Sequence, residues 1–186
     1  MTTTLFTNAH IATGEPGSTA ASTLPLQDIL VTDGVFTAFG PGLAQQYEAQ
    51  GGDPAAIEVV DLGGKLVCPP FCDTHLHLDY VFTARKPGAV NESGTLFEGI
   101  QRWSETKSDL TVDEIKQRAK IGIKKEMLHG VQLIRSHADV TDPNLTSLKA
   151  LLELKEELKD TVTLQIVSFP QEGMYSYEGP HGESGA

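Results

Sequence analysis

The stretch Phe71-Cys72-Asp73-Thr74-His75-Leu76-His77-Leu78-Asp79 decides how the chain is read. Just before it, Lys65-Leu66-Val67-Cys68-Pro69-Pro70 is apolar and reads as a buried strand running into the histidines. Side chains alternate along a strand, so His75 and His77 are expected to point the same way. Two imidazoles so placed can hold one metal ion, because each offers a ring-nitrogen lone pair. The plain alternative is two polar residues in a loop after a strand. The apolar run before the pair and the acid after it favour the metal.

Downstream, Thr83 to Gly94 is a polar, Pro- and Gly-containing connection, and Leu96 to Lys107 is expected to be helical. Thr111-Val112-Asp113-Glu114 is a capping-box pattern. Ile115, Ala119, Ile123 and Met127 then recur at helical spacing up to Gly130. Val131-Gln132-Leu133-Ile134 begins a second strand, ending in Arg135-Ser136-His137-Ala138-Asp139. Asp142-Pro143 is the expected start of the next helix, with Leu145, Leu148, Leu152 and Leu158 as its apolar stripe. Val162 to Val167 is a third strand, running out in Phe169-Pro170-Gln171-Glu172-Gly173.

Strands alternating with helices imply a parallel sheet with right-handed crossovers. All three strands end in polar residues, and parallel strands put those ends on one rim, where α/β folds carry their sites. No Gly-rich fingerprint follows the first strand, so an α/β barrel is preferred to a dinucleotide fold. Such a barrel has eight strands and about 250 residues. The expected fold is therefore a partial (β/α)8 barrel over residues 63–186, truncated after its third strand, with Met174 to Ala186 lacking a strand pattern.

Residues 1–62 read as a small β unit. Asp33-Gly34 between Asp28–Thr32 and Val35–Phe39 is a hairpin signal, and Ile57 to Val60 could add a strand. Composition bounds the rest: 39% apolar and 21% charged residues suit a globular protein, and a formal net charge of -11 disfavours nucleic acid and anionic membranes as partners. There is no membrane-length apolar run and no secretory signal, and two cysteines are no disulfide framework, so cytoplasm is the expected location.

Four stretches in order resemble the amidohydrolase superfamily, and within it bacterial-type cytosine deaminase. They are Cys68 to Asp79; Ser93-Gly94-Thr95-Leu96-Phe97-Glu98-Gly99-Ile100 with Trp103; Arg135 to Val140; and Phe169 to Gly173. The resemblance implies that His75 and His77 bind a catalytic Fe(II) or Zn(II). It implies that Gln171 hydrogen-bonds a pyrimidine ring, for which a carboxamide has both donor and acceptor. It also implies backbone contacts from Leu96 to the base, and a parent activity of hydrolytic deamination of cytosine or a related cyclic amidine. Residues 1–62 would belong to the family's N-terminal β-sandwich. The further metal ligands, the acidic proton shuttle and the metal-adjacent aspartate come from later strands of the family. His181, in a Gly-Pro-His-Gly segment, is not expected to replace a ligand.

His137 reads first as a buried, hydrogen-bonded histidine, and Asp139 likewise; their functional version is to stand behind a metal ligand and orient it. Cys68 and Cys72 with the histidines could mimic a structural zinc site, but Cys-x3-Cys is unusual spacing. Trp103 and the leucine stripe read as core, and Glu153, Glu156 and Glu157 as a solvated helix face. The expectation is a chain with weak metal binding, no useful turnover and open sheet edges prone to self-association. A non-catalytic binding or dimerising module is the alternative of another class. An enzyme acting on a triazine or a creatinine-like ring is the alternative within enzymes.

Overall fold

The computed structural model describes residues 2–12 and 24–174, with the backbone of 177–178 and 184–185. It divides into two compact units, Met1–Pro69 and Pro70–Ala186.

The first unit is built on β1 (Thr3–Ile11), which pairs antiparallel with β2 (Leu26–Thr32). β2 turns back into β3 (Val35–Gly40). Asp33 and Gly34 both take positive φ, +50° and +78°, so the turn's twist matches that of the strands it joins. A short helix, α1 (Leu43–Ala49), follows. β4 (Glu58–Asp61) and β5 (Leu66–Val67) then both lie parallel to β1, giving the order β3-β2-β1-β4 with β5 also on β1. Leu5, Ala9, Ile29 and Leu43 are its buried apolar side chains.

Here the structure corrects one expectation. Leu66 and Val67 do not run on into the histidine strand; they pair with His10 and Ile11. Pro69 and Pro70 have no N–H to give a ladder, which ends that strand and separates it from the next. Leu66 is 51% exposed rather than buried. The division between units accordingly falls at Pro69/Pro70 rather than at residue 62.

The second unit begins with β6 (Phe71–Leu76), followed by α2 (Leu96–Lys107), α3 (Val112–Leu128), β7 (Val131–Asp139), α4 (Thr146–Glu157) and β8 (Thr163–Phe169). β6, β7 and β8 form a parallel sheet in that order. The Thr111 hydroxyl accepts the Glu114 N–H at 3.2 Å, a cap worth about 1 kcal/mol. Ile115, Ala119 and Ile123 of α3 pack with Ala150, Leu151 and Leu154 of α4 and with Ile134, Ala138 and Leu164 of the sheet. Burying one such Leu or Ile contributes roughly 1.5–3 kcal/mol.

α4 departs from the sequence reading in start and phase. Asp142 accepts the N–H groups of Asn144 and Thr146, closing a turn, and the helix starts only after Leu145, which sits at φ +52°. Its buried side is Ser147, Ala150, Leu151 and Leu154, while Leu152 is 47% exposed. Leu148 and Leu158 only flank the core. Nor is the acidic face of α4 simply solvated: Lys116 of α3 pairs with Glu153 and Glu157, and Lys120 with Glu157. Beyond Met174, β9 (Tyr177–Glu178) and β10 (Ser184–Gly185) make a minimal antiparallel pair where no strand was expected. His181 lies outside the described residues.

Candidate functional site

The carboxyl ends of β6, β7 and β8 gather the site. Register between β6 and β7 shifts between Asp73 and Leu76, where the Asp73 carboxylate accepts the His75 N–H at 2.9 Å. Such an irregularity re-aims side chains. His75 stays within β6 and is exposed, while His77 lies just past its end and is half-buried. Their ring centroids are 5.2 Å apart with planes inclined at 65°. The histidines are thus neighbours, through an irregular strand end rather than through strict alternation.

That spacing fits a shared cation. With metal–nitrogen bonds of about 2.1 Å and tetrahedral angles, two imidazole centroids lie roughly 5 Å apart. Inclined ring planes also let in-plane lone pairs converge. The His77 Nδ1 is buried without a hydrogen-bond partner among the described residues. Burial, then the neighbouring His75 and His137, hold the His77 ring below the ordinary histidine pKa and so favour its neutral, ligating form.

His137, on β7, behaves differently. Its ring stacks on His75 at 4.1 Å with planes only 22° apart. Lone pairs in nearly parallel planes do not meet at one ion, so His137 lies against the pair rather than completing it. Its Nδ1 is also buried and, among the described residues, unpartnered. Burial, then His75 and Arg135, lower its pKa. Among the described residues, no set of three or more His, Cys, Asp or Glu side chains is arranged to hold a metal ion. Cys68 and Cys72 are free and exposed, and only Cys72 lies in the histidine strand.

Asp139, at the end of β7, is 1% exposed. Its Oδ1 accepts the Thr141 N–H at 2.8 Å and the Thr141 hydroxyl at 2.6 Å. Its Oδ2 accepts the Trp103 indole N–H at 2.6 Å and the Lys107 ammonium at 3.3 Å. A carboxylate offers about four acceptor positions, and all are occupied by protein donors. Its backbone N–H donates to Asp79 Oδ2 at 2.8 Å. Asp79 is fully buried, its Oδ1 has no partner among the described residues, and burial pushes its pKa up to about 6.

Sequence reasoning missed the aromatic frame of this rim. The Tyr80 ring stacks on His77 at 4.7 Å and meets Trp103 at 4.8 Å. Phe169 sets its ring edge-on against both His77, at 5.2 Å, and His137, at 5.7 Å. Lys107 was missed as well, although its i,i+4 spacing from Trp103 puts both on one face of α2. Gln171 is half-buried in the turn after β8, its N–H bonded to the Phe169 carbonyl at 2.9 Å. Leu96 opens α2 and is 73% exposed. No described helix is long and apolar enough to cross a membrane.

The sequence model of the amidohydrolase family matches residues 58–185. The chain is 39% identical to 5-methylcytosine deaminase from Klebsiella pneumoniae, solved with 5-fluorocytosine, at a TM-score of 0.76 over 96% of this chain and 38% of that one. It is 35% identical over 120 residues to the N-isopropylammelide isopropyl amidohydrolase of Pseudomonas sp. (strain ADP), covering 62% of this chain and 30% of that protein. It is 28% identical to the pterin deaminase of Rhizobium rhizogenes, over 79% of this chain and 32% of that protein. The chain therefore spans about a third of the length of the relatives it matches.

Proposed function

The chain belongs to the amidohydrolase family, and from that premise we propose that it carries the first three strands of a cytosine-deaminase-like (β/α)8 barrel, preceded in sequence by an N-terminal β unit. The parallel order β6-β7-β8 and the likeness to 5-methylcytosine deaminase support the barrel. The chemistry proposed is hydrolytic deamination of cytosine or a related cyclic amidine. The observation that carries this reading is the His75–His77 ring pair, 5.2 Å apart at the strand ends.

In this reading His75 and His77 hold the Fe(II) or Zn(II) through neutral ring nitrogens. When bound, a divalent cation of this kind supplies Lewis acidity that makes water nucleophilic near neutral pH. The chain's own residues do the rest of what it can do. Tyr80 and Phe169 fix the His77 ring, and Phe169 and His75 fix His137. Gln171 presents a carboxamide to the lactam edge of the ring, and Leu96 its backbone at the opening of α2. Asp139, its acceptor positions filled by protein donors, organises the rim rather than moving protons. With two ligating histidines, the 186-residue chain by itself binds metal weakly and turns over no substrate. The whole protein is proposed as a cytoplasmic, small-molecule enzyme with no nucleic-acid or membrane partner, and the 186-residue chain by itself as prone to self-association through its open sheet edges.

The relative that acts on N-isopropylammelide favours a second reading, in which the ring is a triazine. Ammonia release from cytosine, measured beside amine release from a triazine, separates the two. The assay uses this chain and any in-frame extension encoded past Ala186, with metal content determined on each. Cytosine turnover by the extended protein alone is expected. Turnover of the triazine alone, or full cytosine turnover by the 186 residues, contradicts it.

A further inference from the structure

Among the described residues, no sheet ladder holds the turn in which Gln171 lies. The backbone bonds there, from Gln171 N–H to Phe169 and from Gly173 N–H to Pro170, are internal to the turn. They give it shape without attaching it to the rest of the unit. Resting on the role proposed above for Gln171, we propose that Lys107 is its positioning residue, clamping the adjacent Glu172 to the end of β7.

An ammonium has three donors, and each of those on Lys107 is used. They reach Glu172 Oε1 at 2.6 Å, Thr141 Oγ1 at 2.6 Å and Asp139 Oδ2 at 3.3 Å. The side chains of Lys107 and Asp139 are 12% and 2% exposed, and that of Glu172 is 27% exposed. Two of the three acceptors thus lie at the end of β7 and just beyond it, and one in the turn. The 2.6 Å bond to Glu172 is of the short, charge-assisted kind, while the contact with Asp139 is longer, at 3.3 Å. Without the lysine, the Glu172 and Asp139 carboxylates would share one corner with no cation between them, and repulsion would drive the turn outward. Three acceptors around one point suit a compact ammonium better than a planar guanidinium.

Lys107 also closes α2, the helix that Leu96 opens and that Trp103 ties to Asp139. One helix therefore carries the Leu96 segment at one end and steadies the Gln171 turn from the other. The clamp acts through Glu172 and touches neither the histidines nor the ring edge.

The test uses the full 186-residue chain and reads amide hydrogen exchange at Gln171 and Gly173, with the Trp103 indole N–H resonance as the marker of the β7 end. Lys107→Met is expected to speed exchange of both amides about tenfold or more. Glu172→Ala is expected to do the same while leaving the Trp103 indole signal in place. Because the second change is at the surface, it decides the matter if Lys107→Met fails to fold. Exchange within about twofold of the unaltered chain in Glu172→Ala overturns the clamp. A cytosine titration read at the Gln171 side-chain amide keeps the two readings apart. A loosened turn in the variants, with no response to cytosine even in the unaltered chain, supports the clamp and counts against the pyrimidine role of Gln171.

Discussion

The indole N–H of Trp103 donates to Asp139 Oδ2 across 2.6 Å, joining the middle of α2 to the carboxyl end of β7. Both residues are buried, so neither has water as a substitute partner. Asp139 is thereby a structural hub: it fixes α2, Thr141 and, through its own N–H, Asp79. The histidine cluster stands on that hub by way of Tyr80, whose ring touches both Trp103 and His77.

Trp103→Phe keeps most of the ring volume and removes the donor. Leaving a buried carboxylate one donor short costs about 1–3 kcal/mol. Urea unfolding is expected to show a loss in that range, and a variant as stable as the original would show that the bond contributes nothing.

The phase of α4 is open to direct measurement. Leu151→Ala empties a fully buried position and is expected to cost about 2–5 kcal/mol. Leu152→Ala removes a side chain that is 47% exposed and is expected to cost no more than about 0.5 kcal/mol. Denaturant midpoints of the two variants check the order, and a reversed order would restore the leucine stripe that spacing alone suggests.

That stripe shows where sequence reasoning stops. The alternation of strands and helices from Phe71 onward was legible, because apolar period and capping residues are local signals. Thr111 caps α3 as its pattern requires, and Asp33-Gly34 turns the hairpin. The phase of α4 was not legible, since Leu145 takes up the turn that Asp142 and Pro143 seemed to open as helix. The run from Lys65 to Pro70 misled for a related reason: apolar character does not say which sheet a strand joins. At the site, the spacing points to His75 and His77 as neighbours, but what brings their rings together is an irregular strand end rather than the alternation expected. The stacking of His137 on His75, and the bonds from Trp103 and Lys107 that complete the satisfaction of Asp139, depend on residues far apart in the chain. No local pattern announces them.

Glu98 gives a pH signature. The Ser93 hydroxyl first, then the backbone N–H groups of Ser93 and Glu92, hold its carboxyl down at about 2 from an ordinary 4.5. A depressed folded-state value means that the ionised form stabilises the fold. This contribution is full above 4.5 and is lost as pH falls toward 2. The carboxyl carbon resonance of Glu98 is expected to titrate near the lower value, and a midpoint at the ordinary one would show that the loop before α2 is not held by this carboxylate.

The proposed function needs a cation held by His75 and His77. Titration of Zn(II) into the 186-residue chain, followed by calorimetry and by the imidazole resonances, tests it most directly. The expected result is one weakly bound equivalent that perturbs both rings and disappears in His75→Ala and in His77→Ala. Binding that survives both substitutions, or an absence of binding in the unaltered chain, would contradict it.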